Sequence, residues 1–152
     1  SVGAVTDLLY GRCDACGEDD PLPVSALAEP RACPHCGAAR LPFAAPFELG
    51  DPRQLDALDR GPLPLLVLYG AAWCGATHRS EEALDAVAAE ERGRLVVVRI
   101  DVDAQPELAA RDRVRSLPTI VWRHRGRETD RHPGALQPEA LSAWAALHQR
   151  TT

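Results

Sequence analysis

Apolar runs alternate with amphipathic segments over the last two thirds of the chain. Residues 65–69, 95–100 and 119–122 are almost uninterrupted apolar runs, which is typical of strands buried on both faces. Between the first two runs, Ala83, Leu84, Val87 and Ala88 recur at helical spacing. Strands that alternate with helices predict an α/β fold, a mixed sheet covered by helices on both sides.

Prolines and turn residues mark the remaining elements of this region. Asp51 followed by Pro52 favours a helix start, with Leu55 and Leu58 facing the core. The other predicted elements are a short helix over 106–113, an edge strand over 127–132 after a turn at Gly126, and a final helix from Pro138 with Leu141, Trp144, Ala145 and His148 on one face.

The N-terminal stretch has a different character, because it carries four of the five cysteines. Two Cys-x-x-Cys-Gly turns, ending at Gly17 and Gly37, are separated by an acidic, proline-containing segment. This spacing matches tetrahedral zinc ligation, so we expect one structural Zn²⁺ bound by Cys13, Cys16, Cys33 and Cys36. Disulfides among the same residues are the competing explanation.

Composition narrows the classes of partner and location. The 152 residues carry 17 basic and 22 acidic side chains, a net charge of −5, which argues against nucleic acid as a partner. All the basic residues are arginine. No run is long enough to span a bilayer, and no secretion signal opens the chain. We therefore expect a cytoplasmic protein without a membrane partner.

The fifth cysteine, Cys74, lies between a predicted buried strand and an amphipathic helix. The N–H groups and dipole of a helix start stabilise a thiolate. Lowering a thiol pKa from about 8.5 to about 6.5 raises the thiolate fraction at pH 7 from about 3% to roughly 75%. A lone cysteine is more commonly a small buried apolar residue, but this strand–turn–helix context favours a reactive thiol.

Nearly the whole chain resembles the thioredoxin family, and in particular bacterial thioredoxins with an N-terminal zinc ribbon. The resemblance implies a thioredoxin fold over residues 43–152, preceded by a ribbon and connector over residues 1–42. It rests on the two cysteine turns and on Trp73-Cys74-Gly75, Asp101-Val102-Asp103 with Pro106, Arg115-Ser116-Leu117-Pro118-Thr119 and Gly134-Ala135.

The same resemblance implies a substrate groove beside Cys74. The Leu117–Pro118 bond would be cis and lie against the sulfur, and the Leu117 backbone would pair with an extended substrate segment. The implied groove is lined by Trp73, Gly75, Ala76, Leu117, Pro118, Gly134 and Ala135.

Two departures from the family pattern change the expected chemistry. Thr77 stands where the family has its second cysteine, and Leu68 stands where it has a buried aspartate. The motif is therefore C-x-x-T, and an external thiol would have to release any mixed disulfide formed by Cys74. The Thr77 hydroxyl could donate a hydrogen bond to the thiolate.

Three functions remain open from the sequence. The first is a monothiol thiol-disulfide oxidoreductase that acts on protein disulfides or low-molecular-weight thiol adducts, with Cys74 and Thr77 as its catalytic residues. The second is a redox-inactive module that binds peptides in a chaperone-like manner. The third is a thiol sensor that stops at a sulfenic acid or a mixed disulfide.

Overall fold

The computed structural model describes residues 8–13, 15–23, 31–40 and 44–151. The predicted domain boundary between residues 42 and 43 lies outside these residues. The strands are β1 (Leu8–Arg12), β2 (Asp19–Pro23), β3 (Arg31–Ala32), β4 (Ala39–Arg40), β5 (Phe47–Glu48), β6 (Leu65–Gly70), β7 (Val96–Asp101), β8 (Thr119–His124) and β9 (Arg127–Pro133). The helices are α1 (Pro52–Asp59), α2 (Gly75–Arg79), α3 (Glu81–Glu90), α4 (Pro106–Arg111) and α5 (Pro138–Thr151).

The larger sheet has five strands in the order β5-β7-β6-β8-β9. Strand β6 is central, parallel to β7 and antiparallel to β8. The sheet is therefore mixed, and the predicted thioredoxin fold is confirmed. The edge strand β5 is not among the elements predicted from the sequence. Its two residues pair with Val98 and Arg99, and so short a strand has no periodicity to detect.

Successive residues of β6 pack on opposite faces of the sheet, which explains its uninterrupted apolar run. Leu65, Val67 and Tyr69 belong to a core that includes residues of α1 and α4. Leu66 and Leu68 belong to a second core that includes residues of α3 and α5. The predicted two-sided burial is confirmed.

Helix α1 begins as its sequence predicts. Asp51 is the N-cap, and its carboxylate accepts the backbone N–H of Arg53 at 2.8 Å. The side-chain oxygen of Gln54 accepts the N–H of Asp51 at 3.1 Å, which completes a capping box. Leu55 and Leu58 of this helix are buried against the sheet.

A cluster of charged side chains lies beside the core that includes residues of α1 and α4. The Arg123 guanidinium donates to both carboxylate oxygens of Asp59, at 3.0 and 2.8 Å, and one of its nitrogens lies 3.9 Å from Asp112. The Tyr69 hydroxyl donates to Asp112. Burial and this hydrogen bond raise the pKa of Tyr69, so the phenol stays neutral and acts as a donor.

The cysteine-containing stretch forms two small antiparallel pairs, β1 with β2 and β3 with β4. The acidic segment that follows Gly17, which shows little periodicity in the sequence, supplies β2. Each pair flanks one Cys-x-x-Cys-Gly turn, so both turns are held on hairpins.

Candidate functional site

Cys74 lies where the central strand passes into a helix. Strand β6 ends at Gly70, and Cys74 is the N-cap of α2 with an extended backbone. Its N–H donates to the Ala71 carbonyl at 3.0 Å, which closes the turn between them. The thiol is partly exposed and unbonded to any other cysteine, so another sulfur can approach it.

The segment that contains Pro118 lies opposite the sulfur. The Leu117–Pro118 peptide bond is cis, as the resemblance implies. The Cys74 thiol lies 3.8 Å from the Leu117 carbonyl oxygen, and the N–H of Gly134 donates to the Pro118 carbonyl at 2.7 Å. The structure therefore brings the Cys74 turn, the Pro118 loop and the Gly134 loop together.

The residues next to Cys74 in the chain present an open surface. Trp73 is 71% exposed, and its indole N–H donates to the Asp103 carboxylate at 2.8 Å. Gly75 is exposed and Ala76 is half-buried, while Ala135, which follows Gly134, is exposed. The residues of the expected groove thus lie either next to Cys74 in the chain or in the Pro118 and Gly134 loops.

Thr77 lies in the first turn of α2, three residues after Cys74, and is buried with 9% of its surface exposed. Its hydroxyl oxygen accepts the N–H of Ala71 at 3.3 Å. A hydroxyl that accepts this bond still has its own proton to donate. Thr77 can therefore hydrogen-bond a thiolate, but it has no sulfur with which to attack a disulfide.

The surroundings of Cys74 favour its thiolate. Hydrogen bonding by the Thr77 hydroxyl and by the N–H groups of Thr77 and Ala76 lowers the pKa of Cys74 below its ordinary value of 9.0. Burial opposes this effect, and the positive charge of Arg79 adds to it. The net lowering increases the population of the nucleophilic form at neutral pH.

Leu68, at the position of the family aspartate, is 1% exposed and surrounded by hydrocarbon. Its neighbour on β7 is Arg99, which is directed to two acidic side chains, Glu48 at 3.1 Å and Glu81 at 3.5 Å. Leu68 offers no group that could accept a proton beside Thr77.

The four N-terminal cysteines form a second cluster. Their sulfur atoms all lie within 4.8 Å of one another and could hold a metal ion. The Cys13–Cys36 and Cys16–Cys33 sulfurs are 3.8 Å apart, close to the edge of about 3.8 Å for a tetrahedron with metal–sulfur bonds of about 2.3 Å. A disulfide bond is about 2.05 Å long, and all four thiols are free. The four thiols therefore fit a tetrahedral metal ion.

The two cysteine turns have nearly the same backbone. The N–H of Gly17 donates to the Cys13 carbonyl at 2.7 Å, and that of Gly37 donates to the Cys33 carbonyl at 2.9 Å. Both glycines have φ of +76°, a left-handed conformation that disfavours other residues. Each glycine thus lets the chain turn back beneath its pair of sulfurs.

Ionisation of this cluster is shared among its sulfurs. The N–H of Cys36, followed by that of His35, lowers the pKa of Cys33 to about 6. The N–H of Glu18 would likewise lower the pKa of Cys16, but burial and the three neighbouring thiols outweigh it and raise that pKa to about 12. Four adjacent thiolates need a cation to compensate their charge.

Comparison with known proteins identifies the family. The thioredoxin family model matches residues 56–146, which include the sheet from β6 to β9 and the Cys74 turn. The chain belongs to the thioredoxin family. This membership supports thiol-disulfide oxidoreductase chemistry in general.

Relatives named as thioredoxins match between about half and nearly nine tenths of the chain. Thioredoxin C-3 of Corynebacterium nephridii is 33% identical over 132 residues, which cover 87% of this chain and 90% of that protein. The bifunctional thioredoxin reductase/thioredoxin of Mycobacterium leprae is 37% identical over 78 residues, 51% of this chain and 17% of that protein. The fold of a mutant thioredoxin from Halobacterium salinarum superposes with a TM-score of 0.65 at 24% identity, covering 70% of this chain and 93% of that one.

Two residues near Cys74, Arg79 and Gly70, were not identified as part of this thioredoxin site from the sequence. A side chain at Gly75 would meet the Arg79 guanidinium at 3.2 Å, so this cation folds back beside Cys74. Gly70 contacts Thr77 so closely that a side chain would collide with it. Helical spacing could have suggested the contact between Gly75 and Arg79. A glycine that ends an apolar strand could have suggested the contact between Gly70 and Thr77.

Among the helices of the described ranges, none is long and apolar enough to cross a bilayer.

Proposed function

We propose that this thioredoxin-family protein is a monothiol thiol-disulfide oxidoreductase. The Cys74 thiolate attacks one sulfur of a protein disulfide or of a low-molecular-weight thiol adduct. A new S–S bond forms to Cys74, the old S–S bond breaks, and the other sulfur leaves as a thiolate. An external thiolate then attacks the mixed disulfide, takes over the captured partner and returns Cys74 to its reduced state.

One observation carries this proposal: Cys74 is accessible and activated, while the groups beside it cannot release what it binds. Its half-exposed thiol lies 3.8 Å from the Leu117 carbonyl oxygen, but Thr77 provides only a hydroxyl and Leu68 only hydrocarbon. An internal second thiol has an effective concentration of about 10⁵ M or more. Without one, turnover depends on thiols from solution at about millimolar concentration.

The groove supports recognition of an extended peptide. The backbone of Leu117 would pair with the substrate strand, as in strand addition. The exposed ring of Trp73, fixed by Asp103, would cover one side of the bound segment. Gly75, Ala76, Gly134 and Ala135 have little or no side chain, and this allows a substrate backbone to approach Cys74 and Pro118.

Thr77 would act as the second catalytic residue by hydrogen-bonding the thiolate. Its hydroxyl accepts from Ala71 and donates to the sulfur, so it stabilises the negative charge of the Cys74 thiolate. The same bond would stabilise the Cys74 thiolate when it leaves the mixed disulfide.

The metal of the N-terminal cluster is proposed to be one structural Zn²⁺, held by Cys13, Cys16, Cys33 and Cys36. Four thiolates fill its tetrahedral shell and leave no open position for substrate. Residues 1–42 would then form a zinc ribbon with its connector, and residues 43–152 the thioredoxin-like domain. Metal binding would supply the folding energy of the ribbon.

The catalytic proposal is tested with a peptide whose single cysteine carries glutathione. With added glutathione, the metal-loaded protein should accelerate release of the free peptide, and Cys74→Ser should reduce the rate to that of glutathione alone. Without added thiol, mass spectrometry should show one mixed disulfide per chain, located on Cys74. Equal rates for the protein and Cys74→Ser would refute the proposal. Protection of an unfolding protein that persists in Cys74→Ser, combined with such equal rates, would indicate the peptide-binding function instead.

The zinc proposal is tested by elemental analysis of the purified protein. We expect one zinc ion per chain, and its loss in Cys36→Ser. The matched control is Cys74→Ser, which should keep the full zinc content. Another metal at the same stoichiometry, or zinc retained in Cys36→Ser, would contradict it.

A further inference from the structure

Gly70 lies at the contact between the central strand and the Cys74 turn. A Cβ atom built there would lie 2.4 Å from Cγ2 of Thr77, 2.9 Å from its Oγ1 and 3.0 Å from Cδ2 of Leu68. Carbon atoms in contact normally stay about 3.5–4.0 Å apart. Any side chain at this position would therefore displace Thr77.

The neighbouring structure leaves Thr77 little room to yield. Gly70 belongs to β6, which is held between β7 and β8, and Thr77 is buried in the first turn of α2. Thr77 is also β-branched, which restricts its rotamers. The shortest of the contacts would thus force a change in the Thr77 side chain or in its turn.

The displaced group is the one that hydrogen-bonds Cys74. The Ala71 N–H, one residue after Gly70, donates to the Thr77 hydroxyl oxygen at 3.3 Å. This bond leaves the hydroxyl proton for the sulfur and polarises it toward that sulfur. A chain of two hydrogen bonds therefore runs from the Ala71 N–H through the Thr77 hydroxyl to the Cys74 sulfur. Both bonds depend on the position of the Thr77 side chain.

We infer that Gly70 is a positioning residue of the Cys74 site, because its missing side chain makes the space in which Thr77 holds its hydroxyl toward the sulfur. This inference rests on the proposed monothiol function and adds a requirement to it. Gly70 lies outside the left-handed region, so alanine meets no backbone conflict there. The effect of Gly70→Ala should then come from the contact with Thr77.

The experiment measures the pKa of Cys74 from the pH dependence of its alkylation by iodoacetamide. The metal-loaded protein is used, and mass spectrometry follows the peptide that contains Cys74 separately from the zinc cysteines. Both Gly70→Ala and Thr77→Val should raise this pKa by about one to two units, the value of a hydrogen bond to a charged group. At pH well below the pKa, alkylation should slow by about tenfold per unit.

Combined variants separate this role from a general loss of structure. In the Thr77→Val background, Gly70→Ala should add no further shift, because the hydroxyl is already absent. Gly70→Ala with Thr77→Ser should recover part of the shift, since serine lacks the methyl group of the 2.4 Å contact but keeps the hydroxyl oxygen 2.9 Å from the new Cβ. If Gly70→Ala does not fold, Thr77→Ser with and without Gly70→Ala carries the comparison: the remaining 2.9 Å contact should raise the pKa of Cys74 in the double variant, and an unchanged pKa would overturn the inference.

The possible outcomes distinguish Gly70 from the proposed function itself. An unchanged pKa in Gly70→Ala, or an equal shift in the Thr77→Val background, would overturn the inference for Gly70 alone. An unchanged pKa in Thr77→Val would overturn it together with the proposed role of Thr77. Failure of the monothiol function would appear separately, as release of glutathionylated peptide that does not depend on Cys74.

Discussion

Replacing Thr77 by cysteine should allow the protein to resolve a mixed disulfide on Cys74 by itself, without an external thiol. The new sulfur would lie three residues after Cys74, within one helical turn. Cysteine has one γ atom where threonine has two, so it fits beside Gly70 without the methyl group now packed there. Its thiolate would attack the Cys74 sulfur, form an internal disulfide and expel the bound thiol as a thiolate.

The size of the effect follows from competition between two thiols. The internal thiol has an effective concentration of about 10⁵ M or more, against about 1 mM for an external one, an advantage of about 10⁸. The environment reduces this advantage, because Thr77 is buried and Leu68 supplies no base. A pKa raised by about two units through burial would cost about 100-fold in thiolate. About 10⁶ remains, so release should follow adduct formation closely.

The assay mixes the metal-loaded protein with one equivalent of 5,5′-dithiobis(2-nitrobenzoate) and follows the released 5-thio-2-nitrobenzoate. Without added thiol, the parent should release one equivalent per chain and keep the other as a lasting adduct on Cys74, whereas Thr77→Cys should release two. Thr77→Ser is the matched control and should retain the adduct. An adduct that survives equally long in Thr77→Cys would show that position 77 cannot reach the Cys74 sulfur, and the explanation of the monothiol site would be wrong. Adding Leu68→Asp to Thr77→Cys should accelerate release further, because Leu68 and Thr77 both adjoin Gly70.

Three further predictions concern the charged groups. Arg123→Gln leaves the largely buried Asp59 carboxylate without the guanidinium that donates to both of its oxygens, whereas Asp112 keeps Arg111 at 3.6 Å. The substitution should therefore cost about 3–5 kcal/mol and lower the melting temperature by about 6–20 °C. Arg53→Gln breaks an ion pair of the same 2.8 Å length but 73% exposed on the arginine side, and it should shift melting by less than about 4 °C; equal shifts would contradict the role of burial. Arg79→Gln should slow alkylation of Cys74 about twofold at neutral pH and remove part of its salt dependence. Arg127→Gln should change neither, because Arg127 lies at the opposite end of β9 from Pro133 and the Pro118 loop. Alkylation of Cys74 in the parent should rise with pH and reach half of its maximum below pH 9.0, because the folded environment lowers this pKa; a midpoint at or above 9.0 would refute the proposed activation.

The elements that could be predicted from the sequence are those with strong local signals. The apolar runs of β6, β7 and β8 are continuous because both faces of the sheet are covered. The start of α1 is encoded in Asp51 and Pro52 and needs no tertiary information. The four N-terminal cysteines also have a spacing that predicts their meeting, and the structure brings their sulfurs together.

The elements that could not be predicted depend on contacts between distant segments. Arg123 and Asp59 are 64 positions apart, and each would be expected at the surface if considered alone. Strand β5 is defined only by its pairing with β7. Gly70 ends a strand and Thr77 begins a helix after the intervening loop. The lack of space for a side chain at Gly70, whose Cβ would lie 2.4 Å from Cγ2 of Thr77, is therefore visible only in the folded structure.

Leu68, Gly70 and Thr77 are better understood as one arrangement than as three separate positions. An aspartate at position 68 would lie in hydrocarbon beside a threonine that needs no base, and a buried carboxylate without a partner is costly. A side chain larger than that of glycine at position 70 would displace Thr77. A cysteine at position 77 would need a nearby base to take the proton of its thiol, and Leu68 does not provide one. Leu68, Gly70 and Thr77 therefore satisfy one another's packing and hydrogen bonding. Thr77→Cys alone should consequently restore release of a bound thiol, and adding Leu68→Asp should raise its rate at neutral pH further, because the aspartate supplies the base that Leu68 lacks.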